Sequence, residues 1–349
     1  MDQLLQQAVK SGASDLHITV GVPPILRING NLVQTEHQRL TVKDTEKLFI
    51  AITKPEQQLH FKERGEIDFS FAIFGLSRFR VNAFRQRGSI AIAIRVVNEN
   101  VPTLEELGHP AVLRSLACQP RGLVLVTGPT GSGKSTTLAA MINLINSERS
   151  CHILTLEDPI EYLHKHNKSI VNQREIHADT TSFALALRAA LREDPDVILV
   201  GEMRDPETIA TAITAAETGH LVFATLHTGS AAQTIDRIID VFPAYQQQQI
   251  RIQLSVTLQG IVAQQLLPRV DQQGRIAALE VLIATPAVRN MIREGKTHQL
   301  TSVIQTGAKF GMQPMDIALR DLYRRGVVSY AEAIMRAIDE ETFARLVNN

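Results

Sequence analysis

The feature that most constrains this chain is a glycine-rich octapeptide between an apolar run and a helical pattern. It reads Gly128-Pro129-Thr130-Gly131-Ser132-Gly133-Lys134-Ser135. It fits G-x-x-x-x-G-K-[ST] at each fixed position. The run 122–127 before it predicts a strand, and 134–146 after it predicts a helix. Because such glycines let backbone N–H groups converge on phosphate oxygens at a helix N-terminus, the octapeptide predicts a phosphate-binding loop.

The end of the octapeptide supplies the side chains that such a loop needs. In loops of this type the lysine reaches the β- and γ-phosphates, and the following hydroxyl binds Mg²⁺. We therefore predict ATP and Mg²⁺ as ligands, with Lys134 on the phosphates and Ser135 on the metal. Thr136 completes the predicted binding segment, which begins at Gly128.

Three more short apolar runs follow, separated by helical patterns. The predicted strands are 153–156, 197–200 and 221–226, and the predicted helices are 182–192 and 206–218. Strands that alternate with helices predict a parallel sheet covered on both faces. Each strand is followed by a polar segment, namely the acidic box 157–161, Glu202 and His227. Ligands bind at the carboxyl ends of such strands, so we expect these segments at one edge with the glycine-rich loop.

Carboxylates at this edge are candidates for activating water as a general base and for binding the metal ion. The acidic box offers Glu157, Asp158 and Glu161, and spacing alone does not choose a general base among them. After the strand 197–200, Gly201 stands where an Asp directly following the strand is usual, and the acid comes next, as Glu202. We therefore assign Glu202 to the metal through water rather than to direct coordination.

Four histidines have different interpretations. His220 and His227 stand at opposite ends of the predicted strand, about 23 Å apart at about 3.3 Å per residue, so they cannot share one metal. His227 lies at the nucleotide edge and is a candidate sensor of the γ-phosphate or the acidic loop. His220 is predicted to be structural or at an interface. His164 and His166 are predicted to lie in a solvated loop.

The first 97 residues predict a small α/β domain with an antiparallel sheet covered on one face. Segment 78–84 alternates, with Phe79, Val81 and Ala83 inward and Arg78, Arg80 and Asn82 outward. Segment 25–33 predicts a hairpin around 29–31, and 41–61 has the spacing of a helix. Five arginines fall within the 18 residues 78–95, with no lysine among them, namely Arg78, Arg80, Arg85, Arg87 and Arg95. They are either phosphate-binding groups offered to a neighbouring subunit or a solvated strand face.

Further features organise the rest of the chain. The capping-box pattern at 103–106 predicts the start of a short helix. Residues 230–349 have mostly helical patterns, with one predicted strand near 276–283.

Composition narrows the class of protein. A chain of 349 residues suggests about two domains. Lys plus Arg is 36 and Asp plus Glu is 36, which argues against a protein whose main partner is bulk nucleic acid. Two cysteines, Cys118 and Cys151, exclude a disulfide scaffold and a four-cysteine zinc site, and fit a reducing cytoplasm. No apolar run reaches the roughly 20 residues of a membrane span, so any membrane role is predicted to be peripheral.

The motifs together resemble the secretion-type P-loop ATPase superfamily, and most closely its type IV pilus retraction branch. The matching segments are 14–18, 128–135, 157–161, 201–205 and 220–229. Segment 287–294, AVRNMIRE, is similar to the AIRNLIRE signature of retraction ATPases and differs from it at Val288 and Met291. The alternative interpretation of this segment is an ordinary amphipathic helix with Arg289 and Arg293 on its solvent-exposed face. The short chain, without a long N-terminal extension or a four-cysteine motif, favours retraction over pilus assembly or type II secretion.

The resemblance implies an α/β fold with a PAS-like N-terminal domain and a RecA-like P-loop core. The expected divisions are 1–97 for the PAS-like domain, 98–115 for a linker, and 116–349 for the ATPase domain with its helical C-terminal part. It also implies a cytoplasmic homohexamer, with ATP between the two domains. The ring would lie at the inner face of the cytoplasmic membrane, where it would act on an inner-membrane platform protein of the pilus. No nucleic acid is expected as a partner.

Residue roles follow from the same resemblance. Glu161 is implied as the catalytic base, Glu202 as a second required carboxylate, and Arg80 and Arg95 as the arginines that reach the phosphates. The expected function is a Mg-dependent ATPase motor that drives pilus disassembly. The alternatives are a pilus-assembly or type II secretion ATPase, a RecA-like nucleic-acid translocase, and an ATP-binding regulator without hydrolysis.

Overall fold

The computed structural model describes residues 1–28, 30–97, 100–271 and 274–348. The chain forms two compact units. One holds Met1–Asn100 with Glu161–Leu163, and the other holds Val101–Ile160 with His164–Asn349. Each unit carries its own sheet and hydrophobic core.

The first unit is built on a six-stranded sheet in the order β3-β2-β1-β6-β5-β4. All its strand pairs are antiparallel. Its strands are β1 (Asp15–Ile18), β2 (Ile25–Ile28), β3 (Asn31–Gln34), β4 (Glu66–Ile73), β5 (Ser77–Gln86) and β6 (Ser89–Val96). Its helices are α1 (Asp2–Lys10), α2 (Val42–Ile50) and α3 (Pro55–Arg64).

Alternation along β5 fixes which face of this sheet is buried. Phe79, Val81 and Ala83 are fully buried, whereas Arg80 is exposed. The predicted inward face of this strand is therefore confirmed, whereas Arg78 and Asn82 on the predicted outward face are half-buried. Residue 29 of the predicted hairpin turn, and 98 and 99 of the predicted linker, lie outside the described residues.

The single helical stretch predicted over 41–61 is wrong, because the structure has two helices there. Thr41 caps α2 by accepting a hydrogen bond from the Asp44 backbone. Lys54 is extended, with ψ of 157°, and Pro55 begins α3. Proline has no N–H to continue a helix and disfavours helical geometry in the residue before it, so the chain breaks here despite its apolar spacing.

The second unit is built on a seven-stranded sheet in the order β13-β12-β7-β11-β10-β8-β9. All neighbouring strands are parallel except β12 and β13. Its strands are β7 (Gly122–Thr127), β8 (His152–Glu157), β9 (Ile170–Glu175), β10 (Val197–Val200), β11 (Leu221–Leu226), β12 (Leu258–Pro268) and β13 (Arg275–Ile283).

Helices cover both faces of this sheet. They are α4 (Val112–Ala117), α5 (Lys134–Glu148), α6 (Phe183–Ala190), α7 (Pro206–Glu217), α8 (Ala231–Asp240), α9 (Ala244–Thr257), α10 (Pro286–Arg293), α11 (Leu300–Thr306), α12 (Met315–Arg324), α13 (Tyr330–Met335) and α14 (Glu340–Asn348). Short 3₁₀ turns lie at Thr297–Gln299 and Ala308–Phe310. One apolar cluster packs α6 to α11 on the sheet, and another packs α4 and α5.

The predicted strands of the parallel core are present, and β7, β10 and β11 have the predicted bounds. The expectation of a single strand after residue 230 is wrong, because β12 lies between β7 and β13. Glutamines at 259, 264 and 265 interrupt its apolar pattern. Gln264 is nevertheless buried, since its side chain is used for hydrogen bonds inside the unit.

The short helix predicted at 103–106 is a single turn. The capping bonds do form, with Thr103 N donating to Glu106 Oε2 at 2.8 Å and Glu106 N donating to Thr103 Oγ1 at 3.1 Å. The turn ends at Gly108, which has a φ of +70°, and Pro110 follows soon after. The left-handed glycine stops the helix before it can extend.

Among the described residues, no helix combines the length and the apolar character needed to cross a membrane.

The buried parallel core predicts a large loss of stability for Phe223→Ala. Phe223 lies on β11 in the middle of the sheet and is 0% exposed. Its removal leaves a cavity, so the free energy of unfolding should fall by about 3–5 kcal/mol in urea denaturation. Phe74→Ala is the matched control, because Phe74 is fully exposed and the change should stay within about 0.5 kcal/mol. Equal effects of the two changes would contradict the proposed core.

Candidate nucleotide-binding site

The glycine-rich loop leaves β7 after Thr127 and enters α5 at Lys134. Two of its glycines are required by the closeness of β12. A Cβ on Gly128, where φ is +143°, would lie 2.2 Å from the Gln264 carbonyl oxygen. A Cβ on Gly133, where φ is +87°, would lie 2.8 Å from Gln264 Nε2. The loop therefore packs tightly against β12. Because these two positions carry no side chain, a ligand can approach the loop backbone closely.

Lys134 carries the positive charge of the loop. It is only 8% exposed, and its Nζ donates to the carbonyls of Gly128 at 2.8 Å and Pro129 at 3.0 Å. Ser132 Oγ is buried and has no hydrogen-bond partner within the described residues. An ammonium, a buried hydroxyl and the N-terminus of a fifteen-residue helix together suit an anionic phosphate group.

The other predicted loop residues are more open. Pro129, Thr130 and Gly131 are exposed, while Ser135 and Thr136 are half-buried on the first turn of α5.

Parallel pairing brings the carboxyl ends of β7, β11, β10 and β8 to one edge. Leu226 of β11 is in register with Thr127, and Val200 of β10 is in register with Leu156 of β8. The structure thus places the glycine-rich loop, His227, Glu202 and the start of the acidic box at the same edge.

Glu202 and His227 lie in direct contact at this edge. His227 Nε2 is 3.3 Å from Glu202 Oε2, and Arg204 Nε is 2.7 Å from Glu202 Oε1. The Glu202 side chain is 18% exposed, and that of His227 is 42% exposed. Gly201 permits this turn, because a Cβ there would lie 3.0 Å from the Leu156 carbonyl oxygen. The carboxylate is therefore held on two sides at the end of β10.

A row of hydroxyl groups joins the loop strand to the segment after His227. Thr127 Oγ1 lies 2.7 Å from Thr228 Oγ1 and accepts from Thr228 N at 3.0 Å. Thr228 Oγ1 lies 2.7 Å from Thr234 Oγ1 on α8. Sequence reasoning missed this row, because threonines at strand ends carry no pattern that distinguishes them.

The three acids of the acidic box have different surroundings. Glu157 Oε1 accepts from Thr155 Oγ1 at 2.6 Å and from Gln173 Nε2 at 3.1 Å. Asp158 is exposed. Glu161 is exposed and belongs to the segment that groups with the first unit. Glu157 therefore already accepts hydrogen bonds from two side chains of the second unit.

Arg80 and Arg95 face each other on neighbouring strands of the first unit. Arg95 Nε donates to Asp15 Oδ1 at 2.9 Å, and Arg80 is exposed. Burial raises the pKa of Asp15, but hydrogen bonds from Ser14 and Arg95 outweigh it and leave the pKa below its usual value. Asp15 thus pairs with Arg95, which lies opposite Arg80 on the neighbouring strand.

The structure corrects the prediction for His164 and agrees with those for His166 and His220. His164 is largely buried rather than solvated, and burial lowers its pKa to about 4. Its backbone N–H donates to Gln173 Oε1 at 2.8 Å, which draws the loop onto β9. His166 is exposed, and its Nδ1 accepts from Val171 N. His220 Nδ1 lies 2.9 Å from the Ala215 carbonyl oxygen at the end of α7, as its structural interpretation predicts.

Arg289 of the AVRNMIRE segment does not lie on a solvated helix face. Its Nη1 donates to the carbonyls of Ser255 at 2.8 Å and Val256 at 2.7 Å, near the C-terminus of α9. Burial lowers the pKa of Arg289. A cation at a helix C-terminus is favourable, so this arginine fixes α10 against α9.

Glu280 is a buried carboxylate that sequence reasoning missed. It lies on β13, and its Oε1 accepts from Ala231 N at 2.8 Å. The Met315 backbone also hydrogen-bonds to it, and burial raises its pKa. Ala231 begins α8 and Met315 begins α12, so one side chain caps two helices.

The donor set near the loop fits Mg²⁺ bound together with a nucleotide. Among the residues that the structure describes, no cluster of three or more His, Cys, Asp and Glu side chains could hold a metal alone. Magnesium usually keeps several waters and binds few protein groups besides substrate phosphates. The hydroxyl of Ser135 and the carboxylate of Glu202 fit that mode of binding.

A family model described as "Type II/IV secretion system protein" matches residues 1–307. The chain belongs to this family. It is 51% identical over 341 residues to "Type IV pilus retractation ATPase PilT" from Pseudomonas aeruginosa, covering 98% of this chain and 99% of that protein. It is 50% identical over 321 residues to "Twitching motility protein" from Neisseria gonorrhoeae, covering 92% and 86% of the two chains.

A crystal structure of the pilus retraction motor PilT with bound ADP has the same fold. Its TM-score is 0.91 at 50% identity, and the match covers 98% of each chain. The predicted resemblance and the predicted fold class are therefore confirmed.

The glycine geometry predicts different outcomes for two alanine substitutions. Gly128→Ala sets a Cβ against the backbone of β12, which cannot move aside, so ADP affinity should fall about tenfold or more. Gly131→Ala is the matched control, because a Cβ there meets nothing within 4 Å and adds only the strain of φ at +77°. Calorimetric titration with ADP, with thermal unfolding as the folding check, measures both. A larger loss for Gly131→Ala would contradict this loop geometry.

The raised pKa of Glu280 predicts a pH-dependent stability difference. The folded chain binds this proton more tightly than the unfolded chain, so the carboxyl's contribution to stability falls as pH rises from about 4.3 through the raised pKa. Glu280→Gln cannot titrate, so wild type should lose stability relative to this variant across that interval in urea unfolding.

Glu294→Gln is the control for this measurement. Hydrogen bonds from Lys296 and Asn290 lower the pKa of the exposed Glu294. Wild type should therefore gain stability relative to Glu294→Gln as pH rises. Slopes of the same sign for both variants would contradict the proposed burial of Glu280.

Proposed function

We propose that this chain is the ATP-hydrolysing motor of type IV pilus retraction, the machinery of twitching motility. The observation that carries the proposal is the similarity to a retraction ATPase along nearly the whole of both chains. The intact glycine-rich loop and the acids at its edge supply the chemistry that such a motor needs.

The second unit binds the nucleotide. Lys134 and the backbone N–H groups of the loop hold the phosphates, and the helix N-terminus adds favourable partial charge. When Mg²⁺ is bound with the nucleotide, the Ser135 hydroxyl would hold it and Glu202 would contact it through water. When bound, the ion supplies positive charge that stabilises the transferring phosphoryl group.

Hydrolysis requires a base and a fixed water. Glu161, the exposed acid at the end of the acidic box, accepts the proton of the attacking water. Glu202, held by Arg204 and His227, orients water beside the phosphates. His227 senses whether the γ-phosphate is present, and its contact with Glu202 couples the two side chains.

The first unit supplies cations. Arg80 and Arg95 neutralise charge on the phosphates, and Asp15 keeps Arg95 oriented for that task. The ring is a homohexamer of chains divided into a PAS-like domain (1–97), a linker (98–115) and a RecA-like ATPase domain (116–349). It works at the cytoplasmic face of the inner membrane on a pilus platform protein, and it needs no nucleic acid.

Glu202→Gln tests the site in the purified protein. The substitution keeps the size of the side chain but removes the charge that orients water. The ATPase rate should fall about a hundredfold while ADP binding persists. Glu207→Gln is the matched control, because Glu207 is an exposed acid on α7 paired with Arg188. A normal rate for Glu202→Gln would overturn the assignment of this residue.

Pilus counts test the cellular function. A strain that lacks the gene and one that carries Glu202→Gln should both be heavily piliated and unable to twitch, whereas Glu207→Gln should behave as wild type. Bald cells would mean that the chain builds the filament, and the assembly function would replace retraction. Unchanged pili and motility would overturn the pilus function and leave the ATPase assignment to the biochemical test.

A further inference from the structure

His109 lies outside every motif of the chain, yet it is joined to the glycine-rich loop. It follows the turn that ends at Gly108, shortly after the start of the second unit at Val101. The ring is mostly buried, and its Nε2 lies 2.9 Å from Thr137 Oγ1 on α5.

Two further hydrogen bonds continue from Thr137 to the loop. Thr137 Oγ1 lies 2.8 Å from Gln264 Oε1 on β12. Gln264 Nε2 lies 2.6 Å from the carbonyl oxygen of Ser132. His109, Thr137 and Gln264 thus form an unbroken chain of side chains that ends on the loop backbone, which we name the His109–Gln264 chain. Thr137 and Gln264 are both buried, so water does not compete for these bonds.

The protons in this chain can point only one way. The Ser132 carbonyl is an acceptor, so the amide nitrogen of Gln264 must face it. Gln264 Oε1 therefore faces Thr137 and takes the single proton of its hydroxyl. The Thr137 oxygen is then left to accept, so His109 must donate from Nε2. The ring is held as the Nε2–H tautomer, with Nδ1 unprotonated.

Surroundings of the ring agree with this tautomer. His109 Nδ1 is buried and has no hydrogen-bond partner in the described part of the chain. Burial lowers the pKa of His109 to about 4, so the ring is neutral near pH 7. A neutral imidazole carries one N–H, and the acceptor Thr137 determines that the proton is on Nε2.

Holding the Ser132 carbonyl also aims the next backbone N–H. The peptide between Ser132 and Gly133 is planar and trans, so its N–H points opposite to its C=O. With the carbonyl fixed toward β12, the Gly133 N–H points away from that strand. Backbone N–H groups of such loops cradle the phosphates. The His109–Gln264 chain therefore orients the Gly133 N–H, one of the backbone groups that the proposed site offers to the phosphates.

We propose that His109 is a positioning residue for phosphate binding, acting through Thr137 and Gln264 on the Ser132–Gly133 peptide. This inference rests on the proposed nucleotide site. It gives the segment just after Val101 a direct hydrogen-bonded connection to the loop.

Two substitutions at His109 separate hydrogen bonding from packing. His109→Leu fills the site but cannot donate, so the ADP dissociation constant should rise about threefold to tenfold in calorimetric titration of the full chain. His109→Gln retains an N–H donor near the position of Nε2 and should stay within about twofold of wild type. Thermal unfolding without nucleotide checks that both variants fold. Equal losses in the two variants would overturn the positioning role.

ATPase kinetics add a second readout. The KM for ATP should rise in His109→Leu, with a smaller change in kcat, because the water-orienting acids are untouched. A fall in kcat with an unchanged KM would contradict action through the phosphate-binding loop.

Thr137→Val tests whether the residues act as one chain. The valine keeps the shape of the side chain but breaks the path in its middle. His109→Leu combined with Thr137→Val should bind ADP no more weakly than Thr137→Val alone. Additive losses would show that His109 acts by another route.

Nitrogen-15 NMR of the histidine rings reads the tautomer directly. Magic-angle-spinning spectra of the sedimented protein, with His109→Gln to identify the signal among the 11 histidines, should show protonated Nε2 in wild type. This preference should disappear in Thr137→Val. An Nδ1–H tautomer in wild type would overturn the inference. Failure of wild type to bind ADP would overturn the proposed function along with it, whereas normal binding with unaffected variants would overturn this inference alone.

Discussion

The site depends on β7 having a parallel neighbour on each side. Pairing with β11 brings the ends of β11 and β10 to the loop, and with them His227 and Glu202. Pairing with β12 places the Gln264 carbonyl against Gly128, the first glycine of the loop. It also lets Gln264 Nε2 donate to the Ser132 carbonyl oxygen. Without β12 the loop would lack the surface that excludes a Cβ at Gly128. The sheet order, more than any single side chain, therefore sets the shape of the phosphate-binding loop.

Much of this could be predicted from the sequence because the signals are local. The runs that became β7, β10 and β11 are short, apolar and bounded by turns, and the glycine-rich pattern has a fixed spacing. The common edge of the sheet followed from the rule that parallel strands end together. The burial of Phe79 and the exposure of Arg80 followed from strand alternation.

The rest could not be predicted because its causes are distant in sequence. β12 contains glutamines, and burying Gln264 is favourable only because Ser132 and Thr137, more than a hundred residues away, satisfy its amide. Burial of Glu280 depends in the same way on two helix N-termini that meet at one point. His164 has an ordinary polar setting in the sequence, and the hydrogen bond that its backbone donates to Gln173 on β9 has no signal there. Patterns of polarity do not reveal such pairings.

The double cap at Glu280 connects parts of the second unit that are distant in sequence. Because one carboxylate accepts from the backbones that begin α8 and α12, these helices share an anchor on β13. The first turns of α8 also carry Thr234, whose hydroxyl lies 2.7 Å from Thr228 Oγ1, and Thr228 Oγ1 lies 2.7 Å from Thr127 Oγ1 at the end of β7. A short series of hydrogen bonds therefore joins the start of α12 to the nucleotide edge through β13 and α8, although these elements are far apart in sequence.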